Sequence, residues 1–118
     1  MTGSHAKAPR PLTPVTFHIL VTLGSGPAYG YEIKRQVEDR TDGAVRLGAG
    51  TLYAGIQRMV DDDLIEATDP PADVEATEVH GRSRFYALTD HGRRVLADEV
   101  ARLERDLTAA RAVLRGNA

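Results

Sequence analysis

Two sets of residues in this 118-residue chain have types and spacings suited to binding chemistry, and neither is a catalytic set. The first lies in residues 49–62, AGTLYAGIQRMVDD. Wound as a helix, Leu52, Ile56, Met59 and Val60 follow i, i+4, i+7, i+8 and form a single apolar stripe. With that stripe turned inward, Gly50, Ala54, Gln57 and Arg58 point away from the core, and Thr51 and Tyr53 lie near the boundary. Gly50, Thr51 and Ala54 are small and sit in the N-terminal half, the half of a recognition helix that approaches base edges. Tyr53 and Arg58 can donate to phosphate oxygens, and the Gln57 amide can read adenine. Arg82 and Arg84 form the second set, at the base of a predicted hairpin. Each arginine alone reads as ordinary surface charge, but their convergence with the helix face on one architecture points to double-stranded DNA.

Residue types exclude most other chemistry. Without cysteine there is no disulfide, no thiol chemistry and no Cys-based zinc site. His5, His18, His80 and His91 have no metal-ligand spacing, so no metal is expected. No Ser/His/Asp or paired-carboxylate arrangement can be drawn, and Asp61, Asp62 and Asp63 read as a solvated helix end, so no catalytic residue is expected. Gly24-x-Gly26 with Gly30 lacks the preceding strand of a dinucleotide loop and reads as turn chemistry, so no cofactor is expected.

The elements that must position these residues follow from pattern. Residues 1–11 are small, polar and Pro-containing, and read as a disordered arm. Residues 12–23 read as a helix capped by Thr13 with Pro14 at its first position. This helix is apolar on more than one side, so it must be covered on two faces. One face is expected on the helix-turn-helix, the other on the C-terminal helix of a partner subunit. Residues 28–40 read as a second helix with Ile33 and Val37 on its buried side. Residues 64–68 and 82–88 read as two strands joined by an acidic, Pro-interrupted loop, 69–81. Thr89 caps a last helix running to about Leu114.

Leu96, Val100, Leu103, Leu107, Ala110 and Leu114 recur at spacings of 4, 3, 4, 3, 4 along that helix. This is a heptad seam with charged flanks, and it predicts a partner helix and a homodimer. Three helices, two strands and a helix make a mostly α chain: a winged helix-turn-helix over 12–88 with a dimerisation helix over 89–115 and a tail at 116–118.

The formal charge of −2 hides a segregation. Residues 1–60 carry +3, residues 61–81 carry −8, and residues 82–118 carry +3. Two basic surfaces separated by an acidic segment are compatible with phosphate binding. No apolar run approaches the length of a membrane helix, and no secretory pattern opens the chain, so a cytoplasmic protein with no membrane partner is expected.

From Leu12 to about Leu114 the chain also resembles the PadR family of bacterial transcriptional regulators. The resemblance rests on Tyr29-Gly30-Tyr31-Glu32-Ile33, Gly50-Thr51-Leu52-Tyr53, Leu64-Ile65 and Gly81-Arg82-x-Arg84-x-Tyr86-x-Leu88-Thr89-x-x-Gly92. It implies a repressor that dimerises through its C-terminal helix and often senses small molecules. With one helix after the wing, the chain looks like the small subclass of that family. Carried over, Tyr53 would contact phosphate from the third helix, and Arg82 and Arg84 would be the wing contacts. Two features depart from the pattern: the wing loop is long and carries Asp69, Asp73, Glu75 and Glu78, and Gly50 and Ala54 occupy the exposed face of the third helix.

The function expected is a repressor of an inverted-repeat operator, released by a small apolar or aromatic effector. Phe17 offers that effector a stacking face and His18 a polar handle. The alternative is a winged-helix module that binds another protein through its acidic loop and does not bind DNA. Salt dependence of binding to duplex DNA separates the two, because phosphate-driven complexes weaken steeply as salt rises.

Overall fold

A computed structural model describes residues 10–71 and 84–116. Helix α1 spans Pro14–Gly24, strand β1 Ala28–Tyr29, α2 Gly30–Arg40, α3 Ala49–Asp61, β2 Ile65–Thr68, β3 Phe85–Leu88 and α4 Asp90–Gly116. The result is a mostly helical winged helix-turn-helix followed by one long helix. Thr13 caps α1 by accepting the Thr16 N–H at 3.2 Å, with Pro14 at the first helical position as the sequence predicts. Ile19, Leu20 and Leu23 of α1 meet Ile33 and Val37 of α2 and Leu52, Ile56 and Met59 of α3 in one core, which Leu47, Leu64 and Ile65 complete.

The angle between α2 and α3 is set by polar side chains at the turn. Glu38 accepts the Leu47 N–H at 3.1 Å, and the Thr41 hydroxyl accepts the Val45 N–H at 3.1 Å while donating to the Val37 carbonyl at 2.8 Å. Both otherwise orphaned backbone donors are satisfied, so this turn can pack tightly with Leu47 in the core.

The wing differs from the predicted two-stranded hairpin. Ala28 and Tyr29, read from sequence as the start of the second helix, form an edge strand, giving an antiparallel sheet of order β1-β3-β2. Ala28 pairs with Tyr86 and Tyr29 with Phe85, and on the other side Ile65 pairs with Leu88 and Thr68 with Phe85. A two-residue strand leaves no periodicity to read; it forms because β3 presents a free edge beside it. β3 itself begins at Phe85, later than the expected residue 82, and the acidic loop and Arg82 fall largely outside the described residues.

α4 is fastened to the sheet at its first turn. The Thr89 hydroxyl donates to the Asp63 carbonyl at 2.6 Å and accepts the Gly92 N–H at 2.9 Å, while the Thr89 N–H donates to the Leu64 carbonyl at 3.1 Å. Gly92 is buried, and a Cβ there would overlap the Leu64 carbonyl oxygen and lie 2.9 Å from Leu88 Cδ1. Only glycine allows this approach. The second face of α1 packs in part on α4 of its own chain. Among the described residues, no helix is long and apolar enough to cross a membrane.

Candidate nucleic-acid interface

The inward stripe of α3 leaves an outward face running from its first turn to its end. Leu52, Ile56 and Met59 are buried and Val60 is half-buried, whereas Gly50, Thr51, Tyr53, Ala54, Gln57 and Arg58 are all exposed. All six therefore share one surface, as helical spacing predicts. Gly48 precedes the helix without a side-chain cap, and a Cβ at Gly48 or Gly50 would meet nothing within 4 Å. The bareness of this end of α3 is thus not required by packing within the chain, and it leaves the backbone open to close approach.

Tyr53 is 52% exposed. Its ring reaches across to the start of α2, where a Cβ on Gly30 would lie 2.6 Å from Oη and 2.9 Å from Cε1 and Cζ. Gln57 Nε2 donates to Asp61 Oδ1 at 2.9 Å, one turn on. The amide nitrogen carries two donors, so one can hold Asp61 while the other, with the carbonyl oxygen, remains for bidentate reading of adenine. Arg58 forms no ion pair among the described residues, and its guanidinium stands in solvent. Arg84 is exposed immediately before β3. On α2, Tyr31 and Arg35 are also exposed, a surface that sequence reasoning passed over because its polarity is that of any solvated helix face.

The seam expected on α4 divides into two parts. Leu96 is half-buried against its own core, together with Val95. Val100, Leu103, Leu107 and Leu114 are 41%, 38%, 48% and 73% exposed, and Ala110 is exposed with them. From Leu103 to Gly116 every residue is exposed, so the end of α4 stands clear of the body with its apolar stripe uncovered. Val113, 59% exposed, widens that stripe beyond the heptad positions.

Phe17 and His18 line an open crevice of about 280 Å³ between α1 and α4, together with Leu12, Pro14, Glu99, Arg102 and Leu103. Their rings meet edge to face, 5.1 Å apart. Burial, and secondarily the Arg40 guanidinium, hold the His18 pKa below its ordinary value, so the ring favours the neutral form. Arg40 donates to the His18 carbonyl at 2.8 Å and to the Thr22 hydroxyl at 3.1 Å, tying the end of α2 to α1. Glu99, one of the charged residues flanking the seam of α4, is only 6% exposed. Bonds from Arg102, first of all, and the Leu12 N–H keep its carboxyl below the usual carboxylate range. Sequence hides this residue because a charge beside an apolar stripe normally faces water. Among the described residues no group of three or more His, Cys, Asp or Glu could hold a metal ion.

Comparisons with known proteins converge on one family. The family model described as the transcriptional regulator PadR-like family matches residues 19–98. A PadR family transcription regulator from Clostridium difficile R20291 superposes with a TM-score of 0.68 at 25% identity, over 86% of this chain and 99% of that one. RosR of H. salinarum, in the RosR–S4 complex structure, superposes with a TM-score of 0.61 at 26% identity, over 89% of this chain and 94% of that one. An uncharacterised protein X of Lysinibacillus sphaericus is 33% identical over 72 residues, 61% of this chain. The chain spans less than two thirds of the curated relatives it matches: 62% of that protein and 22% of a Streptomyces fradiae transposon protein.

Proposed function

The chain belongs to the PadR-like family of transcriptional regulators, and from that membership we propose that it is a dimeric, DNA-binding repressor of an inverted-repeat operator. The observation that carries the reading is the outer face of α3. Six residues suited to a DNA groove and its phosphates are exposed there, while Leu52, Ile56 and Met59 on the opposite side are buried in the core. In this reading Gly50, Thr51 and Ala54 let the helix lie close to base edges. Tyr53 and Arg58 hold phosphates, Gln57 reads a base, and Arg84 reaches the backbone from the wing with Arg82.

The uncovered stripe of α4 supports the dimer. A lone helical segment of this length is marginal in water, and a second copy of the same stripe would bury Val100, Leu103, Leu107, Ala110 and Leu114 in a two-fold seam with Leu96 at its root. The crevice beside Phe17 and His18 opens next to Leu103 of that seam. A small apolar or aromatic effector seated there would alter the angle of α4 and hence the spacing of the two copies of α3. Operator half-sites recur about every 34 Å, so a displacement of a few ångströms weakens binding.

The test is a titration of the wild-type protein against a duplex spanning the region upstream of its own gene, repeated across salt concentrations. The expected result is a steep loss of affinity with salt, and a slope shallower by about one unit for Arg84→Ala. A salt-independent affinity, or no binding at low salt, overturns the DNA reading and favours a protein-binding role for the winged helix.

A further inference from the structure

Gly30 occupies the first position of α2, is buried, and lies where glycine is a poor helix former. Its φ is not positive, so the backbone there would accept any residue. What excludes a side chain is Tyr53: a Cβ would come within 2.6–2.9 Å of three atoms at the far end of its ring. Twenty-three positions separate the two residues, and they meet only because α3 folds back across the start of α2. The ring is half in solvent, so burial alone does not select its rotamer; the notch left by the missing Cβ does.

We propose that Gly30 is a positioning residue for DNA binding: its bare Cα seats the Tyr53 ring and aims the phenolic hydroxyl at the DNA backbone beside the start of α2. The assignment rests on the reading that α3 enters the groove with Tyr53 facing phosphate. It adds that the contact is preorganised. A tyrosine already held in its bound rotamer loses little freedom on association, whereas one displaced from its seat must be ordered at that moment. An alanine at position 30 pushes only the mobile end of an exposed ring, so the tyrosine swings outward and the helices stay where they are.

A double-mutant cycle on the full chain tests this, with the upstream duplex as probe and thermal melting as the fold readout. Tyr53→Ala is expected to weaken binding about tenfold. Gly30→Ala is expected to weaken it about three- to tenfold with no fall in melting temperature, because alanine is the better helix former. In the Tyr53→Ala background, Gly30→Ala is expected to change affinity less than twofold, since no ring remains to displace. If Tyr53→Ala binds like wild type, the groove reading of Tyr53 fails and this assignment with it. If Tyr53→Ala is weak but Gly30→Ala binds like wild type, the positioning role alone is wrong. A Gly30→Ala protein that melts early, or that loses affinity equally in both backgrounds, has a structural defect and also overturns the assignment.

Discussion

Substituting Gly92 by alanine tests how the long helix is joined to the winged domain. The new methyl would overlap the Leu64 carbonyl oxygen and come within 3.0 Å of its carbon and 2.9 Å of Leu88 Cδ1. Two of these three obstacles are backbone, so no side-chain rotation relieves them. The first turn of α4 must withdraw by about 1 Å to regain ordinary contact distances. That withdrawal stretches the bonds from the Thr89 hydroxyl to the Asp63 carbonyl and from the Thr89 N–H to the Leu64 carbonyl. Each is worth about 1 kcal/mol, residual overpacking adds about 1–3 kcal/mol, and better helix propensity returns up to about 1 kcal/mol. The net expectation is a loss of about 2–5 kcal/mol, or a urea midpoint lower by about 1–2.5 M at a slope of about 2 kcal/mol/M. A lift of about 1 Å over the first two turns tilts the helix by about 5°. Carried along the roughly 40 Å of a 27-residue helix, it moves the free end by about 4 Å. Thr89→Val, which removes the hydroxyl but no space, should cost less, about 1–2 kcal/mol. A Gly92→Ala protein as stable as wild type within about 0.5 kcal/mol would refute the close-approach argument, whatever its effect on DNA binding.

The other expectations follow from separate parts of the molecule. Leu103→Asp with Leu107→Asp places charge on the uncovered stripe of α4, and light scattering should report a monomer where wild type is a dimer; a monomeric wild type would remove the basis of the seam. Compounds that dissociate the DNA complex by occupying the α1–α4 crevice should lose that effect in Phe17→Ala, and undiminished release in the variant would rule the crevice out. Asp63 sits at φ 61°, where the Leu64 N–H closes on the Met59 carbonyl at the end of α3, a place glycine occupies without strain. Asp63→Gly should therefore raise stability by about 0.5 kcal/mol, the relief of backbone strain slightly exceeding the entropy gained by the unfolded chain; a lower melting temperature would contradict this. The Leu47 N–H, then Lys34, hold the Glu38 carboxyl below its ordinary pKa of 4.5. Its contribution is present above the unfolded value and lost as pH falls through the lower folded one. Glu38→Gln should accordingly destabilise at pH 7, and the gap to wild type should close in urea titrations taken well below pH 4.5; a gap independent of pH would mean that the charge plays no part.

Local pattern carried much of the architecture. The cap at Thr13, the α3 stripe and the start of α4 at Thr89 are all properties of neighbours within a turn or two, and helical periodicity makes such neighbours legible in one dimension. The outer face of α3 was legible for the same reason, since fixing one side of a helix fixes the other. The short strand at Ala28 and Tyr29 was not, because two residues have no period and its hydrogen bonds come from β3, more than fifty positions away.

The sequence alone determined which residues are apolar, where α1, α3 and α4 begin, and which side chains share a helix face, because these depend on interactions spanning three or four positions. Tertiary structure decided what each face meets. The single heptad stripe of α4 serves its own core at Leu96 and stands uncovered beyond it; periodicity records that a face is apolar and says nothing of the body that covers it. Glu99 is held inward beside the Leu12 N–H, Gly92 is confined to glycine by the Leu64 carbonyl, and Gly30 lies bare against the Tyr53 ring. The approaches of Gly30 to Tyr53, Gly92 to Leu64 and Glu99 to Leu12 each join residues more than twenty positions apart, and they exist only once packing has brought the elements together.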